Sequence, residues 1–261
     1  MYYGLSLSAS GVLVNTTSQD VYANNLANVE TIGFKPMMPG VQQRPAESQE
    51  DPAPFGTANA LLDKLGGGVF SAPMTTGFKA APPDSTGRPL DAALTDNDTF
   101  FAVRVTDANT GQASTQLTRN GRFLPNAIGQ LVTTGGHLVL DPNDQPITID
   151  PNLGNARIDA SGRIIQDQQA VAQVQVSRVP NAATTLRPAG DNTFAFRGED
   201  NRQPLTAFGL LPKHVETSGA SPINTLMQMI AATKAANGNA SMIRYHDTMM
   251  DRAINTLGRV A

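Results

Sequence analysis

Few side chains in this sequence could do chemistry. Histidine occurs three times, at His137, His214 and His246, in separate segments and without the short spacings that gather ligands around a metal ion. These read as solvated surface histidines. Cysteine is absent, which removes disulfides, thiolate nucleophiles and Cys-based zinc sites together. Gly66-Gly67-Gly68 is not followed by Lys-Ser/Thr, so it reads as a bend and not as a phosphate cradle. No Gly-x-Ser-x-Gly elbow is present. Asp96 and Asp98 are close enough to suggest a carboxylate pair, but Asn97-Asp98 ahead of Phe100 is turn chemistry. Asn15-Thr16-Thr17 and Asn239-Ala240-Ser241 match glycosylation sequons, yet both fall in helical stretches. The expectation is a protein that is not an enzyme, with no catalytic residue, no cofactor and no metal.

A different set of residues stands out: Asn24, Asn25 and Asn28, three amides in five positions. Asn weakens a helix because its amide competes for backbone groups. Two readings follow. The amides mark a frayed helix end, or they bond across subunits in a packed assembly and fix register, as a buried Asn does in a coiled coil.

The element carrying them is legible from its periodicity. Residues 1 to about 31 contain no Pro, and Leu5, Ala9, Val12, Thr16, Gln19, Ala23 and Leu26 alternate spacings of 4 and 3, one seam of a helix. Tyr22 and Val29 widen the stripe, and the helix is expected to stop near Thr31-Ile32-Gly33. At the other end Ser221-Pro222 is a helix start, Ser as N-cap and Pro at the first helical position. Leu226, Met229, Thr233, Ala236, Ala240, Ile243, Asp247, Met250, Ile254 and Leu257 then alternate 3 and 4, with Ile230 beside them. Some 36 residues of helix span ~54 Å, too long for a domain of this size to bury alone. Part of the seam needs a partner.

Between the helices the character changes twice. Residues 36–90 hold half of the 18 prolines, which disfavours long helices and central strands; an extended segment with one short helix around Ala58–Leu65 is expected. From about 91 to 216 alternation appears at Phe101-Val103-Val105 and at Ala172-Val174-Val176, punctuated by Asn120-Gly121, Gly135-Gly136, Asp141-Pro142, Ser161-Gly162 and Gly190-Asp191. Spacings near ten residues predict hairpins in an antiparallel β domain.

Composition agrees. With 40% apolar residues the 261-residue chain should fold, and 16% charged residues with 23 Gly and 18 Pro suit short strands and many turns. The net charge of −3 and a pI near 5.6 argue against a nucleic-acid or anionic-membrane footprint. The first basic residue is Lys35 and no apolar stretch reaches the ~18 residues of a span. A cytosolic protein is expected, or one exported without a cleaved signal, and no direct membrane insertion.

The N-terminal residues are also specific as a string. Ser10-Gly11, Asp20-Val21-Tyr22-Ala23-Asn24-Asn25-Leu26-Ala27-Asn28-Val29 and Thr31-Ile32-Gly33-Phe34-Lys35 closely resemble the signature of bacterial flagellar basal-body rod and hook proteins. Thr86-Gly87-Arg88-Pro89-Leu90-Asp91-Ala92-Ala93-Leu94, Phe100-Phe101-Ala102-Val103, Thr118-Arg119-Asn120-Gly121-Arg122-Phe123 and Gly129-Gln130-Leu131-Val132-Thr133 are similar to core β motifs of the rod proteins. Val215-Glu216-Thr217-Ser218 resembles the family's turn into its last helix, although Gly219-Ala220-Ser221 replaces the usual Asn-rich part. Only residues 37–80 fall outside the resemblance.

The resemblance implies an α+β fold in which N- and C-terminal helices pair as a coiled coil around a mostly antiparallel β middle domain. The divisions are 1–35 as the N-terminal helix, 36–85 as a Pro/Gly-rich linker, 86–217 as the β-rich domain and 218–261 as the C-terminal helix. It implies a subunit of the basal-body rod, the periplasm-spanning drive shaft that transmits torque to the hook, exported by the flagellar type III apparatus. Partners would be further copies, other rod proteins, hook protein and the surrounding ring proteins, with no nucleic acid. It favours the cross-subunit reading of the amides. The expected assembly interface is Leu5, Val12, Ala23, Asn24, Asn25, Leu26, Ala27 and Asn28 with Leu226, Met229, Ile230, Ile243, Met250, Ile254 and Leu257. The alternatives are a hook-type axial protein, or a soluble β-domain binding module held in a closed oligomer by its terminal helices.

Overall fold

A computed structural model of the chain describes residues 2–45, 66–106, 111–150 and 154–257. The short helix expected around Ala58–Leu65 lies outside the described residues. The rest divides into two units, one of Met1–Ala27, Met37–Thr75 and Pro222–Ala261, the other of Asn28–Pro36 and Thr76–Ser221.

The first unit is built on two long helices, α1 (Tyr2–Ala27) and the C-terminal Pro222–Leu257. The latter begins at the Pro that the Ser-Pro signal marks. α1 stops at Ala27, four residues short of the expected Thr31. There Asn28 turns the chain, its carbonyl accepting the Thr31 N–H (3.1 Å). Within α1, Asn15, Thr16, Thr17 and Ser18 donate their side chains back to carbonyls four residues earlier, which absorbs polar groups that would otherwise face a packed neighbour.

The two long helices run antiparallel. A Cβ built on Gly4 would sit 2.6 Å from His246 Nε2, and one on Gly11 2.4 Å from Asn239 Nδ2. Gln19 Nε2 donates to Thr233 Oγ1 (2.6 Å). Glycines seven apart thus let the backbones approach closely. The line that α1 turns inward is Gly4, Gly11, Val14, Ser18, Val21 and Asn25; opposite it the C-terminal helix buries Thr225 and Ala232 and brings up Asn239 and His246. The buried line lies one position from Leu5, Val12 and Leu26 on α1 and from Leu226 on α3, while Gln19 and Thr233 of the sequence-read seams still meet across the pair. The cause is size. Counting apolar residues misses a face whose closeness depends on Gly, Ser, Thr and Ala.

The described parts of the Pro-rich stretch contribute β1 (Met37–Gln43) and β2 (Val69–Thr76), which pair as a two-stranded ribbon. Arg44 N donates to Gly68 O (2.9 Å), and Gly40 lies against Ala72 and Pro73, so the strands run in opposite directions.

The second unit is β. Short strands β3 (Pro83–Ser85) and β4 (Ala92–Leu94) are followed by β5 (Thr99–Thr106), β6 (Ala113–Thr118), β7 (Phe123–Pro125), β8 (Leu131–Thr133) and β9 (Leu138–Val139). Next come β10 (Arg157–Ile158), β11 (Arg163–Gln166), β12 (Gln169–Gln173) and β13 (Val176–Arg178). A one-turn helix, α2 (Ala182–Thr185), leads into β14 (Leu186–Gly190), β15 (Thr193–Phe196), β16 (Gln203–Pro204), β17 (Leu210–Pro212) and β18 (His214–Glu216). The C-terminal helix is therefore α3. The main sheet runs β14-β15-β6-β5-β9-β8-β7, with β13 pairing both β5 and β16; β10-β11-β12, β17-β4 and β18-β3 form smaller sheets. The pairings are antiparallel, as the turn spacing predicts.

β5 is the centre. The sequence alternation suggests one buried face, but both are buried. Phe101 enters a core with Phe123, Leu131, Ile164 and Val176, while Phe100 and Ala102 enter another with Phe78, Leu117, Leu186 and Phe194. Edge-to-face rings set each core: Phe101 on Phe123 at 5.1 Å and Phe78 on Phe100 at 5.4 Å between centroids.

Candidate assembly interface

The asparagine signature resolves into separate roles. Asn25 is buried, and its amide makes a two-point clamp on an extended backbone: Nδ2 donates to Met37 O (2.7 Å) and Oδ1 accepts from Met37 N (2.9 Å). Both amide functions are thus engaged within the chain, fastening the end of α1 to the start of β1. Asn28 is half-buried; its Oδ1 accepts from Thr31 Oγ1 (3.1 Å) and its carbonyl from Ser218 Oγ (2.8 Å). Asn24, Ala23 and Ala27 are exposed, and Leu5, Val12 and Leu26 are half-buried. On α3, Leu226, Ile230 and Ile254 are exposed and Met229, Ile243 and Met250 half-buried. The side chain of Leu257 lies outside the described residues.

Sequence reasoning missed a second construction inside the β unit. Lys35, Arg119 and Glu216 are all buried, and the carboxylate sits between the two cations: Oε1 accepts from Lys35 Nζ (2.5 Å) and Oε2 from Arg119 Nε (2.7 Å). Both cations also donate to backbone carbonyls. Lys35 Nζ reaches Lys79 O (2.8 Å), and Arg119 Nη1 reaches Asp96 O and Thr99 O (both 2.6 Å), with its guanidinium 5.8 Å from the Phe100 ring centroid. Ala81 N adds a bond to Glu216 Oε1 (2.7 Å). Burial pulls the Lys35 ammonium below its ordinary range, Glu216 pulls it back up, and the like charge of Arg119 lowers it further; the net direction is down.

Gly33 explains why the segment before Lys35 lies so close. Its φ is +67°, in the left-handed region, and a Cβ there would come within 2.5 Å of the Arg119 carbonyl group. Its N–H donates to Glu216 O (2.8 Å), Gly219 N donates to Phe34 O (2.9 Å) and Asn192 Nδ2 to Ile32 O (2.7 Å). The three strings Thr31–Lys35, Thr118–Phe123 and Val215–Ser218, far apart in sequence, therefore meet at one buried ion cluster. The available signal was a Lys, an Arg and a Glu within otherwise apolar or turn-forming motifs.

Exposed apolar surface is divided unevenly. In the β unit the large exposed hydrophobics among the described residues are Ile128, Val171 and Leu211. The helical unit exposes Leu13 on α1, Met38, Val41, Phe70 and Met74 on the ribbon, and on α3 a long series from Ile223 and Met227 through Met242 and Tyr245 to Ile254. A groove of about 410 Å³ opens among α1, β1 and α3. Among the described residues no cluster of three or more His, Asp or Glu could hold a metal, and no helix is long and apolar enough to cross a membrane.

Comparison with known proteins places these features. Residues 10–35 match the family described as flagella basal body rod protein, and residues 95–166 the D1 domain of the flagellar hook protein FlgE/F/G family. The flagellar basal-body rod protein FlgF of Caulobacter vibrioides is 29% identical over 244 residues, covering 92% of both chains. Rod protein FlgG of the same organism is 28% identical over 263 residues, covering 94% of this chain and 96% of its own. FlgG of Bacillus subtilis is 28% identical over 270 residues, covering 98% and 99%. The first match falls on the Asn-rich signature and Gly33-Phe34-Lys35, the second on the strands around Arg119, and the chain is similar along nearly its whole length to flagellar basal-body rod proteins.

Proposed function

We propose that the chain is a structural subunit of the flagellar basal-body rod, polymerising helically through its terminal helices into the shaft that carries torque to the hook. The observation that supports this most is the uneven exposure. The β unit closes two cores of its own, whereas the helical unit leaves Met and Ile side chains of α3 and the ribbon in water. Exposed apolar side chains gathered on one unit mark interaction surfaces.

In this reading α1 and α3 form a coiled-coil layer, residues 1–35 and 218–261 act as the assembly region, 36–85 as its linker, and 86–217 as the β-rich domain. The residues offered for subunit contact are those left exposed or half-exposed: Leu5, Val12, Ala23, Asn24, Leu26, Ala27, Asn28, Leu226, Met229, Ile230, Ile243, Met250 and Ile254. The protein works in the basal body, reaches it through the type III export apparatus, and contacts other rod proteins, hook protein and ring proteins. It performs no enzymatic reaction.

The test is direct. Purified protein is sedimented over rising concentration, and a deletion strain is complemented. Concentration-dependent open polymers together with restored swimming are expected. A discrete closed oligomer and unaffected motility in the deletion strain would overturn the proposal.

A further inference from the structure

We infer that the last third of α3 holds a site for a soft monovalent cation of the Cu(I) type, built from the imidazole of His246 and the thioethers of Met242, Met249 and Met250. The site lies within a single subunit and does not depend on the assembly reading above.

Spacing brings the donors together. Three of the nine methionines fall among residues 242–250, at i−4, i+3 and i+4 from His246, the positions that neighbour it on a helix surface. Helical side chains lean toward the N-terminus. His246 therefore reaches back over the turn carrying Met242, and Met249 and Met250 reach back over the turn carrying His246. Three sulfurs and one imidazole serve a single patch about 12 Å long. Histidine spacing alone misses it, because three of the four donors are sulfurs.

The ring is also held. His246, read from the sequence as solvated, is half-buried. A Cβ built on Gly4 would meet its Nε2 at 2.6 Å and its Cε1 at 2.7 Å, so that edge rests on the backbone of α1. Nδ1 lies farther from α1 and is the nitrogen left for a cation. Met242 and Met249 are 49% and 58% exposed, which gives the cation a way in from water; Met250 is half-buried.

The donors select the ion. All four are neutral and three are thioethers, a set that suits Cu(I) and its redox-inert analogue Ag(I). Ca(II), Mg(II) and Zn(II) are better served by carboxylate, water or thiolate donors. The acids nearest in sequence, Asp247 and Asp251, are turned about 100° and 140° around the helix from His246. No charged side chain shares the face made by residues 242, 243, 246, 249 and 250, so a bound cation meets no like charge there. The start of α1, beside the ring, carries the positive end of a helix dipole, which favours a single charge over a double one.

Full-length protein titrated with Ag(I) in chloride-free buffer, with methionine methyl and histidine ring NMR signals followed, tests the site. Cu(I) affinity is measured against a chromogenic chelator under anaerobic ascorbate. One equivalent of Ag(I) is expected to shift the His246 ring and at least two of the three methyl signals, ahead of the exposed Met38 and Met74 of the ribbon. His246→Gln should weaken binding by about tenfold or more, since even the outer partners of metal ligands are worth that much. Met249→Leu combined with Met250→Leu keeps the apolar volume and should weaken binding likewise, with an unchanged helical circular-dichroism signal. Equal affinity in the wild type and His246→Gln overturns the site. So does a shift spread evenly over all the methionines, which marks thioethers acting singly. Zn(II) bound as tightly as Ag(I) overturns the choice of a soft ion.

Discussion

Glu216→Gln would leave Lys35 and Arg119 as two buried cations without a counter-ion, a loss of about 3–5 kcal/mol in stability, read as a lower urea midpoint for the β unit. An unchanged midpoint would mean that water or another carboxylate already shares the charge. Lys35 adds a pH dependence whose sign is fixed by its lowered pKa. Between that value and the ordinary 10.5, the unfolded chain holds a proton that the native state has released, so stability rises with pH across the window and is flat above it. Compared with Lys35→Met, the wild-type midpoint should climb as pH approaches 10.5; a falling difference would show the opposite linkage. Asn25→Ala removes both bonds to Met37, at about 2–3 kcal/mol, and should speed amide exchange at Met37 by tenfold or more. Of all this, the Asn cluster was visible in the sequence and its partner was not. An amide shows its need for hydrogen bonds wherever it sits, but the backbone group that answers is chosen by where Pro36 and β1 carry the chain. The ion cluster was harder still, because Lys35 and Glu216 have no shared period.

At the scale of elements, the connection between α1 and β1 belongs to the β unit, since Asn28–Pro36 clusters there. Two truncations should therefore behave differently. Removing residues 1–27 leaves Gly33 and Lys35 in place, and the β circular-dichroism signal and melting temperature of the remainder should be nearly unchanged. Removing residues 1–35 takes away Lys35 and the backbone bonded to Glu216 and Gly219, and should lower the melting temperature by roughly 10 °C for a unit of this size. Equal melting of the two would deny the segment its anchoring role. The start of α3 was plain because Ser-Pro acts locally. The end of α1 was misplaced because Gly33 looks like a helix cap, while its left-handed φ actually fits the chain against Arg119. The inward faces of both helices were off by one position because small residues carry no hydrophobic signal.

For the whole molecule, the separation of a closed β unit from an apolar helical surface predicts that assembly and stability can be changed independently. Ile230→Asp puts a charge on a side chain 46% exposed in the single subunit, so it should leave the melting of the β unit alone. If that surface is buried on stacking, the desolvated carboxylate costs a few kcal/mol at every added subunit, and the critical concentration should rise by more than tenfold. Leu26→Asp, half-buried already, should show the same block with some loss in the helical unit. Normal polymerisation by Ile230→Asp would remove this part of α3 from the contact.

The ion cluster has a consequence in time as well as in energy. Lys35 meets Glu216 across 181 positions of chain, and α1 packs on a helix that begins only at Pro222. At a synthesis rate of about 5–20 residues per second, the lysine waits on the order of ten to forty seconds for its carboxylate. Throughout that interval α1 has no helix to lie against, and closing so long a loop is itself slow. The helical unit thus stays open until α3 has been made, and the order of translation keeps α1 and α3 unpaired through that interval.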